Sequence, residues 1–361
     1  MRILHLTNTF KADGTGITNV VADLSVSQAR SGHSVTIGCA ETDASMRQLA
    51  SKYEITLIDG LSAHGFYAIA RAAHLLRTTA SGKAPEVVHV HTVRATLMAA
   101  IAFPRLFFTS SVSTIHNGYQ RSVLAMCVTR TVVCVSEGDA SLIRKKSFVR
   151  RPVVVKNGNL GSTRLCDIGK VVAEPLVEKA IVYVGALITR KGVDVLLRSM
   201  VTLIERHPGV RLYLVGNRDN PSLEKMAVEL AVADNVEFVG FRSDPRSYML
   251  GASVFVLPSR AEPFGLVLVE ARECGVPIVA SDTGGIPEVL FGGKAGLLVT
   301  PGDAQALAHT LDRVLRDADL AKEMRLRSRE GIDVFAVGKM ARGYENVYGA
   351  LPFQANLACS D

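Results

Sequence analysis

Short runs of β-branched apolar residues alternate with helical stretches along most of the chain, and this alternation constrains the fold more than any other feature. The runs that predict strands are residues 3–7, 34–39, 55–58, 87–91, 109–114, 131–135, 153–155, 180–184, 211–215, 236–239, 254–257, 277–280 and 296–299. The stretches between them that read as helices include residues 19–30, 65–78, 193–206, 266–274 and 305–315. Continuous apolar strands joined by helical crossovers are typical of a parallel sheet covered on both faces. The sequence therefore predicts an α/β fold of doubly wound parallel sheets.

A polar, weakly patterned stretch from residue 159 to about residue 179 divides this alternation into two series. A chain of 361 residues has the length of about two domains. We therefore expect one Rossmann-like domain in residues 1–165 and a second in residues 166–335. In open α/β sheets, ligands bind beyond the carboxyl ends of the strands. A site is expected in the loops that follow the strands, at a central cleft which the two domains face.

The composition excludes several classes of protein. Hydrophobic residues make up 48% of the chain and charged residues 21%, which excludes a disordered chain. No apolar run reaches the ~18–20 residues of a membrane span, since the longest, residues 99–108, contains Pro104 and Arg105. The first six residues read as a strand and not as a signal peptide, so we expect a cytoplasmic protein. The six cysteines form no CxxC pair, which favours reduced thiols over disulfides or zinc ligands.

The net positive charge is concentrated in the first half of the chain. Residues 1–165 contain 19 Lys and Arg against 9 Asp and Glu, and the densest cluster lies at residues 144–151 around Phe148. Basic side chains around an aromatic ring suit an anionic lipid surface, and a solvated helix end is the alternative interpretation. The first domain is therefore expected to meet an anionic partner, either a membrane surface or an acidic acceptor. No nucleic-acid partner is expected, because no nucleic-acid-binding motif is present.

Two carboxylates, Glu262 and Glu270, follow the predicted strand at residues 254–257 and are separated by seven residues. Between them, Phe264, Gly265 and Leu266 open a predicted helix, whose first amide groups are unpaired and can bind a phosphate. Each carboxylate can accept two hydrogen bonds from neighbouring hydroxyls, which ribose and hexose both offer. The pattern favours a binding site for a phosphorylated sugar compound, and two ordinary acids near a helix end are the alternative.

The segment from Glu262 to Glu270, with residues 258–259 before it and 271–277 after it, resembles the E-x7-E motif of glycosyltransferase family 4. That family consists of retaining enzymes with the GT-B fold, in which two Rossmann-like domains face a cleft. The resemblance implies that Glu262 binds hydroxyls of the transferred sugar and that Glu270 binds the ribose of the nucleotide. It also implies that residues 336–361 form a helix returning to the first domain, followed by a tail.

Residues 183–192 resemble the diphosphate-binding loop of the same family. The resemblance implies that Lys191 neutralises the diphosphate of the donor. The family usually has an arginine directly after the glycine that is Gly185 here, and this chain has Ala186 instead. Arg190 is the candidate replacement from the other side of the loop, because a guanidinium group can bind phosphate through two parallel hydrogen bonds.

Gly14 and Gly16 follow the first strand and precede a helix. They resemble the family's glycine-rich loop on the acceptor side, which implies that their backbone reaches the donor phosphate. A dinucleotide-binding fingerprint is the alternative interpretation, and it would require a third glycine at the position of Asn19.

His116 ends the strand predicted before it, at a position where the family has a histidine facing the reacting carbon. The resemblance implies that His116 binds the donor sugar, and His89 and His91 on another strand are expected to line the same cleft. Gly216 and Phe241 follow strands that resemble the family's base pocket, where backbone groups read the nucleobase.

The expected activity is retaining transfer of a hexosyl unit from a UDP or GDP sugar to a hydroxyl acceptor. The charge asymmetry favours a lipid-linked saccharide of exopolysaccharide or lipopolysaccharide assembly as that acceptor. The resemblance implies no metal and no cofactor other than the nucleotide sugar as co-substrate. The alternatives are another GT-B enzyme such as an epimerase or phosphorylase, a nucleotide-sugar-binding protein without turnover, and a nicotinamide oxidoreductase.

Overall fold

The computed structural model describes residues 1–61, 66–79, 84–217 and 220–352. It divides into two compact units. Unit 1 is Met1–Arg164 together with the chain from Phe335 onward, and unit 2 is Leu165–Val334. These limits lie one residue from the boundaries expected after residues 165 and 335. Residue 65, the first of one predicted helix, lies outside the described residues.

The described residues of unit 1 form nine strands. They are β1 (Arg2–Leu6), β2 (Thr9–Phe10), β3 (Ser34–Gly38), β4 (Glu41–Thr42), β5 (Thr56–Ile58), β6 (Val87–Val90), β7 (Ser111–Ile115), β8 (Thr131–Cys134) and β9 (Val153–Val154). The helices between them are α1 (Gly16–Arg30), α2 (Ala44–Lys52), α3 (Phe66–Thr79), α4 (Val93–Ala102), α5 (Pro104–Ser110) and α6 (Glu137–Lys146). Seven strands form a parallel sheet in the order β5-β3-β1-β6-β7-β8-β9, and β2 pairs in parallel with β4.

The sheet of unit 1 is covered on both faces. Leu4 and Leu6 of β1, with Val88 and Val90 of β6, belong to an apolar cluster that includes residues of α3 and α4. Because side chains alternate along a strand, His5 of β1 points to the opposite face, where it meets α1. One face of the sheet therefore carries an apolar core, and the other carries buried histidines beside a second apolar cluster that includes Val35 and Ile37 of β3.

Unit 2 repeats the architecture with six strands. They are β10 (Ala180–Val184), β11 (Arg211–Val215), β12 (Val236–Gly240), β13 (Val254–Leu257), β14 (Ile278–Ser281) and β15 (Leu297–Val299). Its helices are α7 (Val193–Arg206), α8 (Pro221–Glu229), α9 (Arg246–Gly251), α10 (Leu266–Cys274), α11 (Ile286–Val289), α12 (Ala304–Arg316) and α13 (Ala318–Arg329). The strands are parallel, in the order β12-β11-β10-β13-β14-β15.

The chain then returns to unit 1 as α14 (Val337–Gly349), which packs against α1 and buries Tyr344 and Tyr348 completely. Leu160 forms a parallel bridge with Ala336 at the start of this segment. The predicted α/β fold of two doubly wound parallel sheets is confirmed. Among the described residues, no helix is both long enough and apolar enough to cross a membrane.

The strand predicted at residues 109–114 begins two residues late. Pro104 stands at the first turn of α5, where its missing N–H costs nothing and its fixed φ favours a helix. The helix continues to Ser110, and β7 begins only at Ser111. The small β2–β4 sheet was not anticipated, because two-residue strands carry no periodic signal.

Candidate active site

In unit 2, the loop after β10 and the loop after β13 are joined by hydrogen bonds. The Arg190 guanidinium donates to the carbonyl of Ala261 at 2.8 Å, and the Arg260 guanidinium donates to the carbonyl of Thr189 at 2.8 Å. The amide of Arg260 also donates to the carbonyl of Arg190 at 2.9 Å. β10 and β13 are neighbours at the point where the order of strands reverses. That is the position at which ligands bind in open α/β sheets.

The joined loops bring Lys191 and Glu262 into direct contact. The Lys191 Nζ atom lies 2.5 Å from Glu262 Oε2, and Ser259 Oγ donates to the same oxygen at 3.2 Å. Only 15% of the Lys191 side chain and 7% of the Glu262 side chain are exposed. The family resemblance assigns these two residues to different groups of one ligand, and the structure holds them as a nearly buried ion pair.

Gly192 makes this contact possible. Its φ of 71° is in the left-handed region, and an added Cβ atom would lie 1.9 Å from the carbonyl oxygen of Pro258. Only glycine fits so close an approach between two backbones. The packing of the two loops therefore requires glycine at the position after Lys191.

The other two positions of the predicted phosphate loop differ in exposure. Ala186 is exposed, and its carbonyl accepts a hydrogen bond from Tyr183 Oη at 2.8 Å. Arg190 is half-buried, and its bond to Ala261 uses one of the five hydrogens that a guanidinium can donate.

The N-terminus of α10 lies beside Glu262. Gly265 caps this helix with a φ of 93° and has no side chain with which to bond the first amides. A Cβ atom built on Gly265 would be 3.5 Å from Glu262 Cγ, so the side chain of Glu262 lies against the start of the helix. Phe264 is buried, Leu266 is the first helical residue, and Glu270 is half-buried in the second turn.

Gly216 and Phe241, the residues predicted to form a base pocket, follow neighbouring strands. The amide of Gly216 donates to the carbonyl of Gly240 at 3.1 Å, and an added Cβ atom on Gly216 would lie 2.0 Å from the carbonyl oxygen of Gly185. The side chain of Phe241 is 41% exposed. An exposed ring beside closely packed backbone is an arrangement on which a nucleobase can stack.

In unit 1, His116 directly follows β7 at its carboxyl end. Its Nε2 atom is 3.1 Å from His91 Nδ1, and the residue is half-buried. The amide of Gly118 donates to Asp139 Oδ2 at 3.3 Å, which ties the loop after His116 to α6.

Gly14 and Gly16 also lie in unit 1, and both are exposed. Gly14 has a φ of 76°, and Gly16 is the first residue of α1, so the helix begins three residues before the predicted position. The short strand β2 stands between β1 and these glycines, and Asp43 accepts a hydrogen bond from the amide of Ala12 at 2.6 Å.

The expectation that His89 and His91 line the site is wrong, because both are buried. With His5 they form a cluster whose ligand atoms lie within 4.8 Å of one another, which is the spacing of a metal site. Each of their ring nitrogens already has a partner within the protein. The cluster therefore fits a hydrogen-bond network and does not fit a metal ion.

These histidines are neutral at pH 7. Burial lowers the pKa of His5 and of His116 to about 4. Burial, and then the neighbouring histidines, lower the pKa of His89 and His91 well below the usual 6.5. A neutral imidazole has one N–H donor and one acceptor nitrogen, so the direction of every hydrogen bond in this network matters.

Two family models cover most of the chain. Residues 168–331 match the model described as glycosyl transferases group 1, and residues 14–158 match glycosyltransferase family 4. The chain belongs to the group 1, family 4 glycosyltransferases of the GT-B type. The predicted resemblance is confirmed, and the two models meet between the two units.

Curated glycosyltransferases align with parts of the chain. The D-inositol 3-phosphate glycosyltransferase of Corynebacterium jeikeium is 35% identical over 49% of this chain and 45% of its own length. The lipopolysaccharide core biosynthesis glycosyltransferase LpsE of Rhizobium meliloti is 29% identical over 59% of this chain and 61% of its own. The chain thus spans about half the length of the curated relatives it matches.

Among solved structures, Anabaena Alr3699/HepE in complex with UDP and glucose superposes with a TM-score of 0.81 at 20% identity. The match covers 97% of this chain and 100% of that one, and it supports the GT-B fold of this glycosyltransferase.

No sequence motif identifies Gln28, His5, Tyr344 or Tyr348, which all contact the histidines of unit 1. One signal for His5 was available, since a polar residue inside an apolar strand needs a buried partner. Nothing local pointed to Gln28 or to the tyrosines of α14.

Proposed function

We propose that this chain transfers a hexosyl unit from a UDP sugar to a hydroxyl group of a saccharide acceptor. The observation that carries the proposal is the Lys191–Glu262 pair beside the N-terminus of α10. A cation and the amides of a helix N-terminus suit a diphosphate, and a carboxylate suits sugar hydroxyls. We choose UDP over GDP as the proposed nucleotide because the similar Anabaena structure was solved with UDP and glucose.

The proposed reaction retains the anomeric configuration and needs no metal ion. The acceptor oxygen bonds to the anomeric carbon as the bond from that carbon to the diphosphate oxygen breaks. The acceptor proton goes to the departing diphosphate, which leaves as UDP. Lys191 and the first amides of α10 stabilise the negative charge that develops on it.

Binding to nucleotides tests the proposal directly. We expect UDP and its sugar conjugates to raise the melting temperature, and GDP and ADP to have smaller effects. A ligand at a hundred times its Kd adds ~2.7 kcal/mol of stability, which a thermal-shift assay detects. Incubation with UDP-glucose, or with another UDP sugar that binds, should release UDP when a saccharide acceptor is present to take the sugar. No shift with any nucleotide would contradict the proposed donor site.

A nucleotide-sugar-binding protein without turnover is the second candidate, because Ala186 stands where the family has an arginine. Such a protein would show the thermal shift and release no UDP with any saccharide acceptor.

Replacing Ala186 with arginine is expected to tighten UDP binding by about threefold to tenfold, because a guanidinium binds phosphate through charge-assisted hydrogen bonds. Ala186→Gln, similar in length and neutral, is the matched control in the same calorimetric titration.

Replacing Glu270 with alanine is expected to weaken UDP binding about tenfold to a hundredfold, because the ribose would lose hydrogen bonds to a charged acceptor. Isothermal titration with UDP and with uracil measures the effect. Affinity for uracil should be unchanged, since it has no ribose. The control is Glu229→Ala, which removes an acid with 62% exposure on α8. UDP affinity equal to that of the unmodified protein would exclude this role for Glu270.

We further propose that unit 1 binds an anionic membrane surface and takes a lipid-linked saccharide as acceptor. Helix α6 ends with Arg144, Lys145 and Lys146, and the Phe148 side chain that follows is 69% exposed. An exposed aromatic ring beside clustered cations suits a lipid interface. The name of the Rhizobium relative also supports an acceptor from lipopolysaccharide core assembly.

Vesicle binding checks this surface. The protein should sediment with vesicles of phosphatidylglycerol and phosphatidylcholine, and much less with phosphatidylcholine alone. Phe148→Ser and Lys145→Glu should each reduce sedimentation severalfold, since each favourable charge near the surface contributes about 1 kcal/mol. Arg316→Glu, an exposed site in unit 2, is the control. Equal binding to both vesicle types would contradict the proposal.

A further inference from the structure

A chain of hydrogen bonds runs through buried side chains from α1 to His116. Gln28 Oε1 lies 2.7 Å from His5 Nε2, and His5 Nδ1 lies 3.1 Å from His91 Nε2. His91 Nδ1 in turn lies 3.1 Å from His116 Nε2. All three distances are those of hydrogen bonds. His5 and His91 are buried, and His116 is half-buried.

Neutral rings allow only two arrangements of hydrogens in this chain. A neutral imidazole donates through one nitrogen and accepts through the other. If one ring reverses, its neighbour must reverse as well, or two hydrogens or two lone pairs would face each other. The rings of His5, His91 and His116 therefore adopt their tautomers together.

The amide of Gln28 decides between the two arrangements. Its oxygen faces His5 and can only accept, so the hydrogen of His5 is on Nε2. His5 Nδ1 then accepts from His91 Nε2, and His91 Nδ1 accepts from His116 Nε2. His116 is left with an unprotonated Nδ1 atom. Within the described part of the chain, the bond to His91 is the one hydrogen bond that the His116 ring makes.

The directions of the bonds in a second branch of the network follow from the same orientation of Gln28. Its amide nitrogen lies 3.3 Å from Tyr348 Oη and donates to it. Tyr348 then donates to His89 Nδ1 at 2.7 Å, and His89 Nε2 donates to Thr114 Oγ1 at 2.7 Å. Thr114 and Tyr344 complete the branch with a bond of 2.9 Å. Reversing the amide would reverse both branches at once.

We propose that Gln28 is a positioning residue that sets the tautomer of His116, so that His116 presents Nδ1 as a hydrogen-bond acceptor to a hydroxyl group of the donor sugar. The part concerning the sugar rests on the proposed function, and the part concerning the tautomer does not. With the opposite tautomer, His116 would present an N–H group, and the hydroxyl would have to reverse its own hydrogen bonds to accept from it.

Nitrogen NMR of protein labelled with ¹⁵N-histidine tests the tautomer, because protonated and unprotonated ring nitrogens have different chemical shifts. The His116→Gln variant assigns the signals of His116. At pH 7.5 we expect a hydrogen on Nε2 and none on Nδ1 in the unmodified protein. A hydrogen on Nδ1 would overturn the proposal without any variant of Gln28.

Two variants of Gln28 test its control over the ring. Gln28→Met keeps the length and removes the polar atoms, and it should give His116 a mixture of both tautomers. Gln28→Glu should preserve the original tautomer, because an ionised carboxylate can only accept from His5. An unchanged tautomer in Gln28→Met would overturn the role of Gln28. If Gln28→Met does not fold, a reversed tautomer of His116 in Gln28→Glu would overturn the role of Gln28.

The contact of His116 with the donor sugar is tested by the ratio of the affinities for UDP-glucose and UDP. Gln28→Met should lower this ratio by about threefold to tenfold with UDP affinity unchanged, and Gln28→Glu should restore it. A structural role alone would not separate the two ligands. A changed tautomer with an unchanged ratio would overturn the role toward the sugar. If UDP binds and UDP-glucose does not, the proposed donor is wrong, and the tautomer result still stands.

Discussion

Replacing Lys191 with alanine is expected to weaken UDP binding by about tenfold to a hundredfold and to destabilise unit 2 by about 3 kcal/mol. The loss of affinity follows from removing the cation that faces the diphosphate. The loss of stability follows because Glu262, 5% exposed, would keep its charge without its partner. Calorimetric titration with UDP and chemical denaturation measure the two effects separately.

A double variant separates the two effects further. In Lys191→Ala combined with Glu262→Gln, no unpaired carboxylate remains, so most of the lost stability should return. UDP affinity should stay low, because Glu262 is assigned to the sugar, which UDP lacks. Arg198→Ala, an exposed cation on α7, is the control for the change in net charge. UDP affinity within twofold of normal in Lys191→Ala would exclude contact between Lys191 and the diphosphate.

Acidification from pH 7 to pH 5 is expected to destabilise unit 1 by several kcal/mol. The pKa of His5 is about 4 in the folded protein and about 6.5 in an unfolded chain. Between these values the unfolded state binds the additional proton, so stability is complete above pH 6.5 and decreases as the pH falls toward 4. His5 alone contributes a loss of about 2 kcal/mol at pH 5, and His89 and His91 act in the same direction.

Other ionisable groups contribute less than the histidines to the change in stability between pH 7 and pH 5. The pKa of Asp194 is lowered by hydrogen bonds from Arg260, so its contribution is lost only below about pH 4. Burial raises the pKa of Asp23, which opposes the effect of the histidines because protonation then favours the folded state. The net decrease is still expected, since several rings act against one carboxyl group.

Thermal melting followed by circular dichroism at pH 7.5, 6 and 5 measures this dependence. His89→Gln removes one buried ring and retains an amide for the bonds to Thr114 and Tyr348. It should lower stability at pH 7.5 and reduce the additional loss at pH 5. His309→Gln, an exposed residue of α12, should leave the pH dependence unchanged. A melting temperature that is constant from pH 7.5 to pH 5 would contradict the buried, neutral state of these histidines.

Much of the fold could be predicted because its signals are local. The strands β10, β11 and β13 have the limits predicted from apolar runs alone, and α7 and α10 have the predicted limits as well. A buried parallel strand needs a continuous apolar run, and such a run is visible in any sequence. The candidate donor site could also be predicted from the sequence, because Glu262, Glu270 and the start of α10 lie within nine residues of one another.

By itself, the sequence determined the fold class, the division near residue 165 and the family. Only the tertiary structure decided that Lys191 and Glu262, 71 residues apart, form an ion pair, and that His116 is connected to Gln28 through His91 and His5. It also decided that Tyr348 meets His89 across 259 residues. The order of strands in a parallel sheet determines such neighbours. Crossover connections set that order over long distances, and no local pattern of residues records it.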